Sequence, residues 1–127
     1  MGQPHRARSR ASSFGYAFAG LWHVLRSQRN AWIHAAASIL VILLAALLHV
    51  ASWDWAILLL AIGLVWMAEF INSALEAVVD LASPDMHPLA RVGKDVGAAA
   101  VLIAAITSAV VGLIILGPAL GHRLGLF

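Results

Sequence analysis

Cysteine is absent from all 127 residues, so no disulfide can form and the redox compartment stays unread. Charge is scarce as well: 11% of the residues are Asp, Glu, Lys or Arg, against about a quarter in a soluble domain. There is no Walker A sequence, no kinase Gly-rich loop and no dinucleotide fingerprint, so none of the general phosphate-cradling loops is available. A secretory leader is not expected either, because the first long apolar stretch begins only near Ala35 and no small-residue cleavage pattern follows. What the chain does have is apolar side chain, at 62% of residues and a mean hydropathy of +0.91. So short a chain cannot bury that much in its own interior, and the surplus must face lipid or other subunits.

The formal net charge of +2 hides an uneven layout, since Arg6, Arg8, Arg10, Arg26 and Arg29 all precede the first long apolar run. An Arg-rich, acid-poor start also suits an organelle transit peptide, but here it continues into a patterned helix. Residues 1–11 read as a basic disordered segment, 12–120 as one membrane domain and 121–127 as a short tail. Phe14, Phe18, Leu21, Trp22 and Leu25 lie on one stripe of a helix over 14–28. Arginines at both ends and aromatics on the stripe predict a helix lying in the membrane interface. Three apolar blocks then predict spans over about 31–50, 55–82 and 90–117. The expected fold class is therefore all-α and integral to the membrane, a surface helix followed by three transmembrane helices. Ser52, Trp53, Asp54 and Trp55 are expected in the turn after the first span, and Ser83-Pro84 with His87-Pro88 in a loop after the second. Seven of the eight basic residues lie before the first span or in the second loop, which places both in the cytoplasm.

The second block carries the chemistry. Glu69, Asn72, Glu76 and Asp80 are spaced three, four and four, within an arc of about 80° on one helix face. A carboxylate at membrane depth costs about 2.5–3.5 kcal/mol on insertion scales, so this face must look into protein or a wet cleft. The plainer reading is a polar seam that glues helices. Three acids and an amide on one stripe, with Lys94-Asp95 at the start of the next helix, argue for a site instead. Mg²⁺, which takes one or two carboxylates plus substrate phosphates, suits such a cluster. Arg91 and Lys94 are cationic partners for phosphate, and an acid held deeper in the membrane suits a general base.

The run from Glu69 to Asp80 (EFINSALEAVVD), then His87 to Asp95 (HPLARVGKD) and the small-residue stretch Ala98–Val101, closely resembles the prokaryotic diacylglycerol kinase/undecaprenol kinase family. The likeness extends upstream through Gly15–Gly20 and Arg29–His34, so it covers roughly residues 14–116. It implies a homotrimer in the bacterial inner membrane, with active sites shared between neighbouring subunits. It also implies transfer of the γ-phosphoryl group of ATP, with Mg²⁺ as cofactor, to a membrane lipid alcohol. Carried over by position, Glu69 is the general base and Glu76 a metal ligand, with Asn72 beside that centre. Lys94 and Asp95 fall near the nucleotide phosphates, and Tyr16, Asp80, Asp85 and His87 around the nucleotide or its loop. One departure stands out. Gln28 replaces a second metal-binding glutamate, keeping a carbonyl oxygen but losing the charge. Either Gln28 still coordinates, another acid or water substitutes, or catalysis is impaired. The family's early basic residue corresponds to Arg8 or Arg10.

The Arg29-Asn30 to His34 and His87-Pro88-Leu89-Ala90 segments resemble the undecaprenol branch, while the catalytic face is common to the diacylglycerol branch. Most of Trp22, Trp32, Trp53, Trp55 and Trp66 read as interfacial anchors, Trp66 lying deeper. His34 and His49 end apolar blocks, where snorkelling or capping is the default. Gly97 with Ala98, Ala99 and Ala100 permits close helix approach. Two rivals remain: a transporter or ion-conducting oligomer with acids along its path, and an inactive structural relative supported by Gln28 alone. The arginines orient the protein and attract anionic headgroups; nucleic acid is not an expected partner.

Overall fold

The computed structural model describes residues 10–126, which fold into four helices: α1 (Arg10–Ser27), α2 (Arg29–Leu48), α3 (Ser52–Ala82) and α4 (Pro88–Arg123). Arg6, Arg8 and most of the segment expected to be disordered lie outside the described residues, while Arg10 and Ala11 open α1. Of the α1 side chains, Val24 is buried, whereas Phe14, Phe18, Leu21 and Trp22 stay exposed. Apart from half-buried Leu25, the predicted stripe therefore has no cover within the chain, as an interfacial helix requires. Arg26 lies over the Trp22 ring, 5.6 Å from its centroid, so the charge and the aromatic anchor travel together.

The chain breaks at Gln28, whose extended backbone (φ −100°, ψ 115°) separates α1 from α2. Its N–H closes α1 on the Val24 carbonyl at 2.9 Å, and its own carbonyl accepts the Ala31 N–H at 3.2 Å. The Gln28 side chain does not cap α2, which leaves it free for a distant partner. At the other end, His49 takes the left-handed conformation (φ 52°) and bonds back to Ala46, while Val50 bonds to Ala45. This is a capped helix stop without glycine. His49 thus fills the capping role expected of it.

Ser52 to Trp55 form the first turn of α3 rather than a separate turn, because extended Ala51 already serves as the N-cap and accepts the Trp55 N–H. Asp54 in that turn is matched to the positive end of the helix dipole. The loop after α3 is held by Ser83 Oγ donating to the Asp85 carbonyl at 2.9 Å. His87 then caps α4, its Nδ1 accepting the Leu89 N–H at 3.1 Å, with Pro88 at a helix start where a missing N–H does no harm. α4 runs through Pro118 to Arg123, beyond the expected end of the span.

α3 and α4 are the closest pair. Gly97 backs onto Asn72, where any Cβ would collide with Asn72 Oδ1, and Ser108 Oγ donates to the Ala61 carbonyl at 2.9 Å farther along. The apolar core is small, built on Ala45, Leu58 and Leu116 near the α2–α3 turn. Most large apolar residues of α2, α3 and α4 face outward. All three are long and apolar enough to cross a membrane, and 20 residues of α2 reach about 30 Å.

Candidate functional site

The acid-bearing face of α3 runs from the interior to the α3–α4 loop. Burial falls along it: Glu69 is 1% exposed and Asn72 7%, Glu76 is half-buried and Asp80 lies open. The three acids each meet a side chain from outside α3. Glu69 Oε2 faces His34 Nε2 of α2 at 3.5 Å. Glu76 is bracketed by two amides, Gln28 Nε2 donating to Oε2 at 3.1 Å and Asn72 Nδ2 to Oε1 at 3.2 Å. Asp80 pairs with Lys94 of α4, and Arg91 approaches Asp95 at 3.8 Å one turn along the same helix.

Two clefts share this face. One, of about 950 Å³, lies under the α3–α4 loop and gathers Asp80, Asp85, His87, Arg91, Lys94 and Asp95. The other, of about 340 Å³, is lined by Gln28, Asn30, His34, Asn72 and Glu76, with Ala98, Val101, Leu102 and Ala105 of α4 as its apolar wall. Glu76 and Asp80 are one helical turn apart, so the two clefts adjoin. An apolar cleft of about 230 Å³ between α2, α3 and α4 meets the second at His34 and continues past Ser38, Leu58 and Val65. Tyr16 lines none of these clefts and sits exposed on α1. Gln28 lines the second cleft, and the other expected site residues fall on the acid face or around the loop cleft.

Gln28 reaches the site because the helix break occurs at its own backbone and frees its amide. Among the described residues no group of three or more acid or histidine side chains is poised for a metal ion. A nucleotide-borne Mg²⁺ asks for less, one or two carboxylates with phosphates and water completing the shell. Glu76 and Gln28 meet that need once the Gln28 amide makes a half-turn to present its oxygen. Asn72 Oδ1 beside them is buried with no hydrogen-bond partner, a sign that the cluster is short of a donor or a positive group. The donor set, all oxygen with one formal charge, thus fits a hard cation that arrives with phosphate.

A sequence model for "Prokaryotic diacylglycerol kinase" matches residues 15–116, which takes in α2, α3, most of α1 and α4, and both polar clefts. The chain belongs to the prokaryotic diacylglycerol kinase family. Membership makes it a lipid kinase and decides against the transporter reading. The chain is 39% identical over 108 residues to the undecaprenol kinase of Bacillus subtilis, covering 85% of this chain and 88% of that relative. It is 44% identical over 109 residues to a diacylglycerol kinase of Synechocystis, covering 85% of this chain and 62% of the relative. The diacylglycerol kinase of Escherichia coli is 37% identical over 109 residues, covering 80% and 84% respectively.

One participant in this kinase's acid face was not singled out by its spacing. His34 reads in sequence as the end of an apolar block, yet it is the residue opposite Glu69. The Arg29–His34 likeness contained it, but only the crossing of α2 over α3 pairs it with an acid 35 positions away.

Proposed function

We propose that this lipid kinase transfers the γ-phosphoryl group of ATP, in a Mg²⁺-dependent reaction, to the hydroxyl of diacylglycerol or undecaprenol. The observation that carries the reading is the gradient along α3. A buried carboxylate at Glu69, beside an apolar cleft, grades through Glu76 into a charged cleft at Asp80 and Lys94. A lipid hydroxyl approaching along the apolar cleft and phosphates entering under the loop would meet between Glu69 and Glu76.

In this reading Glu69 accepts the proton of the lipid hydroxyl, and its burial keeps water from competing. Glu76 and Gln28 hold the ion that accompanies ATP, whose chemistry when bound is to neutralise charge on the β- and γ-phosphates. Asn72 orients Glu76, as its hydrogen bond to Oε1 supports. Lys94 supplies positive charge to the transferring group, and Asp80, its partner, keeps the ammonium at the cleft. His87, Asp85 and Asp95 shape the nucleotide end, and the family resemblance assigns Tyr16 to the nucleotide although it lines none of these clefts. Phosphoryl transfer through a loose transition state asks mainly for such positioning and charge stabilisation.

The proposal extends to a homotrimer in the bacterial inner membrane, with the α1 end and the α3–α4 loop in the cytoplasm. Five of the six described basic residues, all but Arg123, support that orientation by lying at or near this end. The test is transfer from γ-labelled ATP in detergent micelles with diacylglycerol and undecaprenol as competing acceptors. Wild type should label one lipid, and Glu69→Ala should lose about 10²–10⁴-fold in rate while remaining folded. Gln28→Glu should lower the Mg²⁺ concentration needed for half-maximal rate. Labelling unaffected in Glu69→Ala would sink the assignment of the base.

A further inference from the structure

Glu69 is buried so completely that a base at this position has a problem after each turnover. When the lipid oxygen forms its bond to the γ-phosphorus, the bond from phosphorus to the bridging oxygen breaks and ADP leaves with that electron pair. The hydroxyl proton is then on Glu69. With 1% of its side chain exposed, Glu69 cannot hand the proton directly to bulk water.

His34 is the titratable group that faces it. Nε2 of His34 and Oε2 of Glu69 are 3.5 Å apart, both are buried, and neither has a hydrogen-bond partner. The imidazole keeps 12% of its surface and lines the polar cleft with Gln28, Asn30 and Glu76. Its position is clamped. Trp66 meets the ring edge-on, with centroids 6.3 Å apart and planes at 71°. Trp66 Nε1 also donates to Ser38 Oγ, which in turn donates to the His34 carbonyl at 2.7 Å. α4 contributes only Ala98, Val101, Leu102 and Ala105 to this cleft, and the remaining titratable group on its wall is Glu76, two turns from Glu69 on α3.

We propose that His34 is the proton exit for Glu69, accepting the proton from Oε2 on Nε2 and releasing one to water in the polar cleft. The 3.5 Å separation shortens to a hydrogen bond when substrate closes the site, as resting catalytic contacts commonly do. The reaction then balances, since each lipid phosphorylated liberates one proton to solvent and returns Glu69 as carboxylate. His34 acts through Glu69 and is a positioning and relay residue; the inference rests on the lipid-kinase reading with Glu69 as base.

The experiment compares wild type, Glu69→Ala, His34→Gln and His34→Ala in the labelled-ATP assay, with the pH–rate profile and added imidazole as further readouts. Glutamine keeps a hydrogen-bond donor of similar reach but cannot relay a proton. His34→Gln should lose roughly tenfold to a hundredfold in kcat with KM for ATP unchanged, and one limb of the pH profile should flatten. Imidazole should restore part of the rate of His34→Ala. If His34→Ala fails to fold in gel filtration, the kcat and pH profile of His34→Gln carry the test. A His34→Gln enzyme with wild-type kcat and profile overturns the relay. So does a loss confined to KM for lipid that imidazole leaves untouched. A wild type that labels no lipid, or a fully active Glu69→Ala, overturns the kinase reading itself and the relay with it.

Discussion

At the end of the bundle where α2 turns into α3, Ala45, Leu58 and Leu116 close on one another, with Val41, Leu44, Trp55 and Ile115 packed around them. At the opposite end the same helices are joined by polar pairs: His34 with Glu69, Gln28 with Glu76, Lys94 with Asp80. At the dry end Arg123 donates to the Leu47 carbonyl at the close of α2. The contrast separates two tasks. The apolar end stabilises the helix crossing by close packing, while the polar end gives up packing for side chains that meet one or two partners and retain capacity for a ligand. Among the described residues, Asn72 Oδ1, Glu69 Oε2 and His34 Nε2 are the buried side-chain atoms left without hydrogen bonds, and all three lie on the polar side.

Leu58→Ala offers the largest test of that separation. It should destabilise the fold by about 2–5 kcal/mol, measured by unfolding in detergent, while kcat at temperatures where the variant is folded stays near wild type. A fall in kcat would mean that the two ends are mechanically coupled. Gly97→Ala strikes inside the polar end. Its methyl group must displace Asn72 from below Glu76, so a cost of about 1–3 kcal/mol should come with a rate loss of roughly tenfold to a hundredfold. Stability lost without rate would show that Asn72 does not orient Glu76. The smallest effect is expected at Ser108→Ala, between the ends, where removing the bond to the Ala61 carbonyl should cost about 0.6 kcal/mol and leave turnover unchanged.

Much of the fold was legible because a membrane imposes one-dimensional rules. Unbroken apolar runs of sufficient length had to be spanning helices, and the stripe from Phe14 to Leu25 had to find an interface. The acid face was legible for a related reason: at helical spacing, three carboxylates and an amide in an apolar block share one side and cannot face lipid. Less legible were ends set by local backbone. Ser52 to Trp55 joined α3 because Ala51 was already extended, and α4 continued through Pro118.

Composition and periodicity by themselves thus determined the helical membrane architecture, the polar face of α3 and its continuation into Lys94. The EFINSALEAVVD run and its distant Lys-Asp pair determined the family. Partners on other helices were decided only in three dimensions. Gln28 turned out to grip Glu76 because α1 breaks at its backbone, Gly97 to lie against Asn72, and His34 to face Glu69 across the crossing of α2 and α3. The physical reason is that spacing along one helix fixes which residues share its face. Which foreign side chain meets that face depends on crossing angles and helix ends, which no single segment encodes.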